Sequence, residues 1–146
     1  MVRLNIPKNL RILVIDDMAT MRKLIAKTIS ELGLTNFKHA GDGQEALDLL
    51  HKLAGTPEEI QFIFADINMP KMNGIDMLKA IKSSPTFQKV PVIMVSAEND
   101  INAIIQAKVN GAEDFIVKNF DPAELKEKML RVLFPKVAKP LEKLAP

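Results

Sequence analysis

Five short apolar runs, each followed by a stretch with helical spacing, leave this chain few ways to fold. The runs are Leu10 to Ile15, Asn36 to Ala40, Gln61 to Ala65, Val90 to Val95 and Asp114 to Val117. The first, third and fourth are nearly unbroken in Ile, Val, Leu, Met or Phe, as a strand must be when helices cover both faces of its sheet. Between and after the runs, apolar residues recur at three- and four-residue steps. The sets are Met21, Leu24, Ile25, Ile29 and Leu32, closed by Gly33; Ala46, Leu49, Leu50 and Leu53; Ile75, Leu78 and Ile81; and Ile101, Ile104, Ile105 and Val109, closed by Gly111. The last set is Leu125, Met129, Val132 and Leu133. It opens on Asp121-Pro122-Ala123-Glu124, which supplies an N-cap acid, a proline at the first helical position and a capping-box glutamate. Pro135 ends it. Strand and helix alternating five times predict an α/β domain with a doubly wound, five-stranded parallel sheet, right-handed crossovers and five helices.

The frame covers residues 10–134. Residues 1–9 form an N-terminal extension, and residues 135–146 a tail in Pro and Lys with isolated Val137, Leu141 and Leu144. That tail reads as loosely docked, or in a sharper reading as a partner-binding peptide. Ala54 to Glu59 reads as a surface loop or one extra helical turn. At 146 residues the chain is the size of one ordinary domain, and 47% apolar residues are too many for a disordered one. Cysteine is absent, which excludes a disulfide scaffold, a thiolate metal site and a cysteine nucleophile. Twenty basic residues are interleaved with eighteen acidic ones, so no basic patch points to nucleic acid. No apolar run approaches the ~20 residues of a membrane span, and Met1 to Asn9 lacks the apolar core of a secretory signal. A cytoplasmic monomer is expected, with no membrane insertion and no nucleic-acid partner.

In an open parallel sheet the carboxyl ends of all strands share one edge, and ligands bind there. The first run exits into Asp16 and Asp17, the third into Asp66, the fourth into Ser96 and the fifth into Lys118. The second exits into the turn Ala40-Gly41-Asp42-Gly43. One polar exit means little, but reactive groups at four of five exits mark a site. Three carboxylates packed together raise one another's pKa unless a cation joins them. With no His or Cys among them every ligand is oxygen, which suits a hard divalent ion such as Mg2+, usually found beside a phosphate. Lys118 adds a second positive charge, and Ser96 a hydroxyl able to hold an anionic oxygen. That mixture stabilises charge on a phosphoryl group in transfer, and the central carboxylate can be the nucleophile, giving an aspartyl-phosphate. Asp66 is the candidate, because in a sheet of order 2-1-3-4-5 the third strand is central, beside the first.

Asp16-Asp17, then Asp66-Ile67-Asn68-Met69-Pro70-Lys71-Met72-Asn73-Gly74, then Val95-Ser96-Ala97, then Gly111-Ala112 with Phe115 and Lys118, together resemble the receiver domain of bacterial response regulators. The resemblance runs from about Leu10 to Phe134. Within the family, Asp17-Met18-Ala19-Thr20-Met21-Arg22 and Asp66-x-Asn68-Met69-Pro70 are most similar to the stand-alone chemotaxis regulators. The flavodoxin-like strand order comes with this resemblance rather than from the strand pattern. The resemblance implies a switch rather than an enzyme acting on other substrates. A histidine kinase of the chemotaxis type would phosphorylate Asp66. Asp16, Asp17, Asp66 and the Asn68 backbone carbonyl would hold Mg2+, with Asp16 acting partly through water. Ser96 and Lys118 would grip the phosphoryl oxygens, and Asn68 and Glu98 would set its lifetime. Phe115 would turn inward as Ser96 moves, reshaping a face made by the fourth helix, fifth strand and fifth helix, where Ile104 and Lys128 also lie. That face would bind a downstream protein such as the flagellar motor switch.

Two departures from the family stand out. Asn119 follows the lysine where the family usually has proline after a cis bond, and cis is costly before any other residue. Either the bond is trans and Lys118 reaches the site from a shifted backbone, or the fold accepts cis here. The switch aromatic is Phe115 rather than the common tyrosine, so no phenol oxygen is available. No effector domain is expected after Phe134, which leaves protein binding or, alternatively, a phosphorelay step to a histidine phosphotransfer protein. A flavin carrier would need a neutral phosphate loop where Asp16-Asp17 stands. A haloacid-dehalogenase-type phosphatase would need an acid where Asn68 stands. Alone, Asp16 and Asp17 read equally well as caps of the first helix. His39 and His51 have no ligand spacing and read as surface residues.

Overall fold

The computed structural model describes residues 5–135; residues 1–4 and the tail from 136 onward, with its docking or partner-binding readings, lie outside it. The elements are β1 (Arg11–Ile15), α1 (Ala19–Ser30), β2 (Asn36–Ala40), α2 (Gly43–Leu53), β3 (Phe62–Ala65), α3 (Gly74–Ser83), β4 (Val92–Ser96), α4 (Ile101–Val109), β5 (Asp114–Val117) and α5 (Pro122–Leu133). The five strands form one parallel sheet in the order β2-β1-β3-β4-β5. The architecture is the flavodoxin-like one expected.

Both faces of the sheet are apolar because both are covered. On one face Ile12, Val14, Phe62, Phe64, Ile93, Val95 and Ile116 pack against Ile25 and Ile29 of α1 and Leu125 and Met129 of α5. On the other, Leu13, Ile15, Ile63, Ala65, Val92, Met94 and Phe115 meet Ala46, Leu50, Met77, Leu78, Ile81 and Ala107 from α2, α3 and α4. Alternate residues of one strand therefore enter different cores, and the central strands read as continuous apolar runs. Each fully buried Leu, Ile or Phe contributes roughly 1.5–3 kcal/mol. At the sheet edge β2 is only partly buried, which is why its sequence carries Asn36, Lys38 and His39.

Strand β4 begins at Val92 rather than Val90. Pro91 cannot donate to the ladder but its carbonyl accepts from Ile63 N at 2.9 Å, so it precedes the strand as an acceptor only. Four helices have side-chain caps. Asp42, Asn73, Asp100 and Asp121 accept from the backbone N–H groups of Glu45, Asp76, Asn102 and Ala123 at 2.8–2.9 Å. Helix α1 has none: its N-cap is Met18. Neither Asp16 nor Asp17 is the N-cap residue of α1, and Asp16 Oδ1 accepts instead from Met18 N. Ala54 to Glu59 is a loop of successive turns. His39 and His51 are exposed. Among the described residues, no helix is long and apolar enough to cross a membrane.

Candidate functional site

The ladder at the carboxyl edge of the sheet continues past the strands and sets the depth of each functional side chain. Asp16 N donates to Ala40 O at 3.1 Å, Asp66 N to Ile15 O at 2.9 Å, and Lys118 N to Ser96 O at 2.9 Å. Asp16, Asp66 and Ser96 are consequently buried, the carboxylates at 1% and 6% exposure, while Asp17 one residue on faces solvent. Carboxylate oxygens of Asp16, Asp17 and Asp66 all lie within 4.8 Å of one another.

Lys118 sits between two of them. Its Nζ donates to Asp16 Oδ2 at 2.8 Å and to Asp66 Oδ2 at 3.2 Å. Burial works against the ammonium, but hydrogen bonds and charge from Asp16 and Asp66 outweigh it and raise the Lys118 pKa above the ordinary lysine value. The Lys118–Asn119 peptide bond is cis. Of the two alternatives left by Asn119, the displaced lysine is not what the structure shows. The remaining oxygens are also held: Asp16 Oδ1 accepts from Met18 N at 2.9 Å, and Asp66 Oδ1 from Ile67 N at 2.7 Å. Three carboxylates against one ammonium leave the cluster short of positive charge. All of its donors are hard oxygens, so these residues fit an oxygen-ligated divalent cation.

The other predicted residues surround this cluster. Ser96 Oγ accepts from Glu98 N at 3.2 Å, and Glu98 Oε1 accepts from Asp100 N at 3.1 Å, which ties the β4–α4 loop to the site. Asn68 is exposed on the β3–α3 loop. Ile104, Phe115 and Lys128 meet along a groove of about 450 Å³ between α4, β5 and α5, and Lys118 lines the same groove. Phe115 already lies inward, buried in the core. Lys128 Nζ donates to the Phe115 carbonyl at 2.8 Å and lies 3.8 Å from Asp114 Oδ1.

Two contributors escaped the sequence reading. Arg22 Nη1 donates to the Asp16 carbonyl at 2.6 Å, holding the β1–α1 loop from within the helix. Gly74 packs its α-carbon against the backbone of Asp66. A Cβ there would stand 1.9 Å from Asp66 O and 2.8 Å from Asp66 C. Its N–H also donates to Ile67 O at 2.7 Å. An Asn-Gly pair signals a turn in any chain, and nothing local reveals what the glycine approaches.

Residues 12–130 match the response regulator receiver domain family. The chain is 39% identical over 125 residues to chemotaxis protein CheY-3 of Vibrio cholerae, covering 86% of this chain and 92% of the relative. It is 38% identical over 123 residues to chemotaxis protein CheY of Pseudomonas aeruginosa, covering 84% and 95%. Its fold is similar to that of chemotaxis response regulator CheY4 of Vibrio cholerae, with TM-score 0.74, 28% identity and coverage of 85% and 98%. It is also similar to the CheX-CheY-BeF3-Mg2+ complex of Borrelia burgdorferi, with TM-score 0.76, 28% identity and coverage of 84% and 88%. With the acidic cluster, the bridging lysine and the sheet order in place, the chain belongs to the response regulator receiver domain family.

Proposed function

We propose that the chain is a single-domain response regulator, residues 10–134 forming the receiver, whose Asp66 accepts a phosphoryl group from the phosphohistidine of a histidine kinase. The observation that carries this reading is the placement of Lys118 Nζ between Asp16 and Asp66, with Asp17 completing the cluster. An Asp66 carboxylate oxygen attacks phosphorus, the phosphorus–nitrogen bond breaks, and the imidazole departs with that electron pair. Asp16, Asp17, Asp66 and the Asn68 carbonyl would hold Mg2+, which would supply the positive charge an anionic carboxylate needs to approach an anionic phosphoryl group. Lys118 turns its ammonium from the carboxylates to a phosphoryl oxygen, and the buried Ser96 hydroxyl donates to another. Asn68 and Glu98 flank the path by which water removes the group.

The output follows from shared walls. Lys118 and Phe115 line the groove between α4, β5 and α5, so a lysine drawn toward phosphate changes the groove's edge, favouring one of two packings of that face. A downstream protein reads the change. The similarity to chemotaxis proteins supports flagellar motor control as that output, with the protein working in the cytoplasm. The only chemistry it performs is gain and loss of its own phosphoryl group.

The test is intact-mass spectrometry after mixing with a small phosphodonor, with and without Mg2+, quenched quickly in acid. A Mg2+-dependent gain of one phosphoryl group that Asp66→Asn abolishes is the expected result. No gain in the unaltered protein under rapid quenching would overturn the reading.

A further inference from the structure

Asp17 is the least held member of the acidic cluster. Asp16 Oδ2 and Asp66 Oδ2 share Lys118, and their Oδ1 atoms accept from Met18 N and Ile67 N. Among the described residues, no hydrogen bond or ion pair reaches the Asp17 carboxylate, which is exposed yet lies within 4.8 Å of the other two. Its place in the cluster is therefore set by the backbone that carries it. That backbone is the peptide joining Asp16 to Asp17, a rigid plane in which the direction of the Asp16 carbonyl fixes where the Asp17 α-carbon stands.

One side chain holds that plane. Arg22 Nη1 donates to Asp16 O at 2.6 Å, reaching back from the first turn of α1. The Asp16 N–H belongs to the preceding peptide, so its bond to Ala40 O leaves the next plane free to turn. Arg22 Nε is buried without a hydrogen-bond partner among the described residues. An unpaired buried donor costs stability, and a short bond from a charged donor is strong enough to offset it. The same Nη1 passes the β2–α2 turn, 3.9 Å from where a Cβ on Gly41 would stand, and the Gly41 N–H is held by Glu45 Oε2 at 3.1 Å. The guanidinium is thus seated between that turn and the Asp16 carbonyl.

We infer that Arg22 is a positioning residue for the cation site: by holding the Asp16–Asp17 peptide plane, it aims the Asp17 carboxylate at the cluster. The inference rests on the Mg2+ reading given above and adds to it a residue set behind the ligands. Position and charge predict opposite signs. A guanidinium acting through its charge alone would repel a second cation, so removing it would tighten Mg2+ binding. A guanidinium acting through the carbonyl keeps a ligand in place, so removing it would weaken binding.

The test is a Mg2+ titration of the full chain, without phosphodonor, in protein labelled with nitrogen-15. It is read from the amide shifts of Met18 and Ile67, whose N–H groups bond to Asp16 and Asp66. Arg22→Met, which keeps the apolar stem, is compared with the unaltered chain and with Lys23→Met, which removes the same charge from an exposed neighbour. The expected result is a Kd about tenfold higher in Arg22→Met, the size of loss seen when a group that orients metal ligands is removed, with Lys23→Met close to the unaltered chain. An equal or lower Kd in Arg22→Met would overturn the inference even if its urea midpoint fell, because the bond would then only fasten α1 to the sheet. An equal rise in Lys23→Met would overturn it too. The spectra report whether each variant is folded. Should Arg22→Met unfold, Arg22→Lys carries the same test, since it keeps the charge one atom short of the carbonyl. A higher Kd is expected there, and a Kd equal to that of the unaltered chain would overturn the inference. No saturable shift in the unaltered chain would overturn the Mg2+ reading and this inference with it, a failure distinct from any difference between variants.

Discussion

Lys118 holds two carboxylates that reach it from strands 52 and 102 residues away in sequence. Removing the ammonium leaves Asp16 and Asp66 buried side by side, the situation in which loss of one partner costs about 3–5 kcal/mol. Lys118→Met should lower stability by that order at neutral pH, read from a urea midpoint. It should keep some phosphorylation of Asp66 while weakening the response of the α4-β5-α5 face. The pH dependence follows from the raised lysine pKa. The bridge contributes in full below the lysine value of the unfolded chain, roughly 10.4, and its contribution is lost as pH rises through the higher folded value. Denaturation midpoints between pH 9 and 12 should therefore fall in the unaltered protein by a component that Lys118→Met lacks. Gly74 makes the complementary case for a residue with no charge. Gly74→Ala places a methyl inside the Asp66 carbonyl, so the backbone of Asp66, the proposed phosphoacceptor, must move. The expected cost is at or above the ~1–3 kcal/mol typical of overpacking, with slower gain of mass from a phosphodonor.

Among the elements, helix ends were the most legible feature, because caps are local chemistry. Asp121 does what Asp-Pro at a helix start implies, and Asp121→Ala should cost about 1 kcal/mol in thermal or urea melts. The start of β4 was harder. Val90 belongs to the apolar run, but Pro91 delays pairing until Val92, and only the neighbouring strand shows which carbonyl is used. Helix α1 has no side-chain cap, and the acids before it turn to Lys118 and to the Met18 amide instead. Its other end is tied across the molecule: Lys126 of α5 donates to Glu31 at 2.8 Å. The hydrogen bond and charge of Lys126 hold the Glu31 carboxyl below the ordinary glutamate range. In Lys126→Ala an NMR titration should find that carboxyl moved back up toward the ordinary value.

At the scale of the whole molecule, the sheet order decides the chemistry. With β1 beside β3, and β4 and β5 following, the exits of four strands meet at one edge, and the cluster they form carries more negative than positive charge. A ligand that binds only the folded state stabilises it by mass action, about 2.7 kcal/mol at a hundred times its Kd. Added Mg2+ should therefore raise the melting temperature of the unaltered protein in a saturable way, and Asp17→Ala, whose exposed carboxylate is the least needed for folding, should lose most of that rise. A rise unchanged in Asp17→Ala would place the ion elsewhere. The sequence alone determined which segments are strands and helices, which residues of the central strands are core, and which polar residues end each strand. Those properties are periodic and local, set by residues a few positions apart. Only the tertiary structure decided that Lys118 bridges Asp16 and Asp66, that Arg22 holds the Asp16 carbonyl, and that Gly74 must lie against Asp66. Each of those contacts depends on a helix or strand being seated to within an ångström on another, and packing distances of that kind are written in no local pattern of residues.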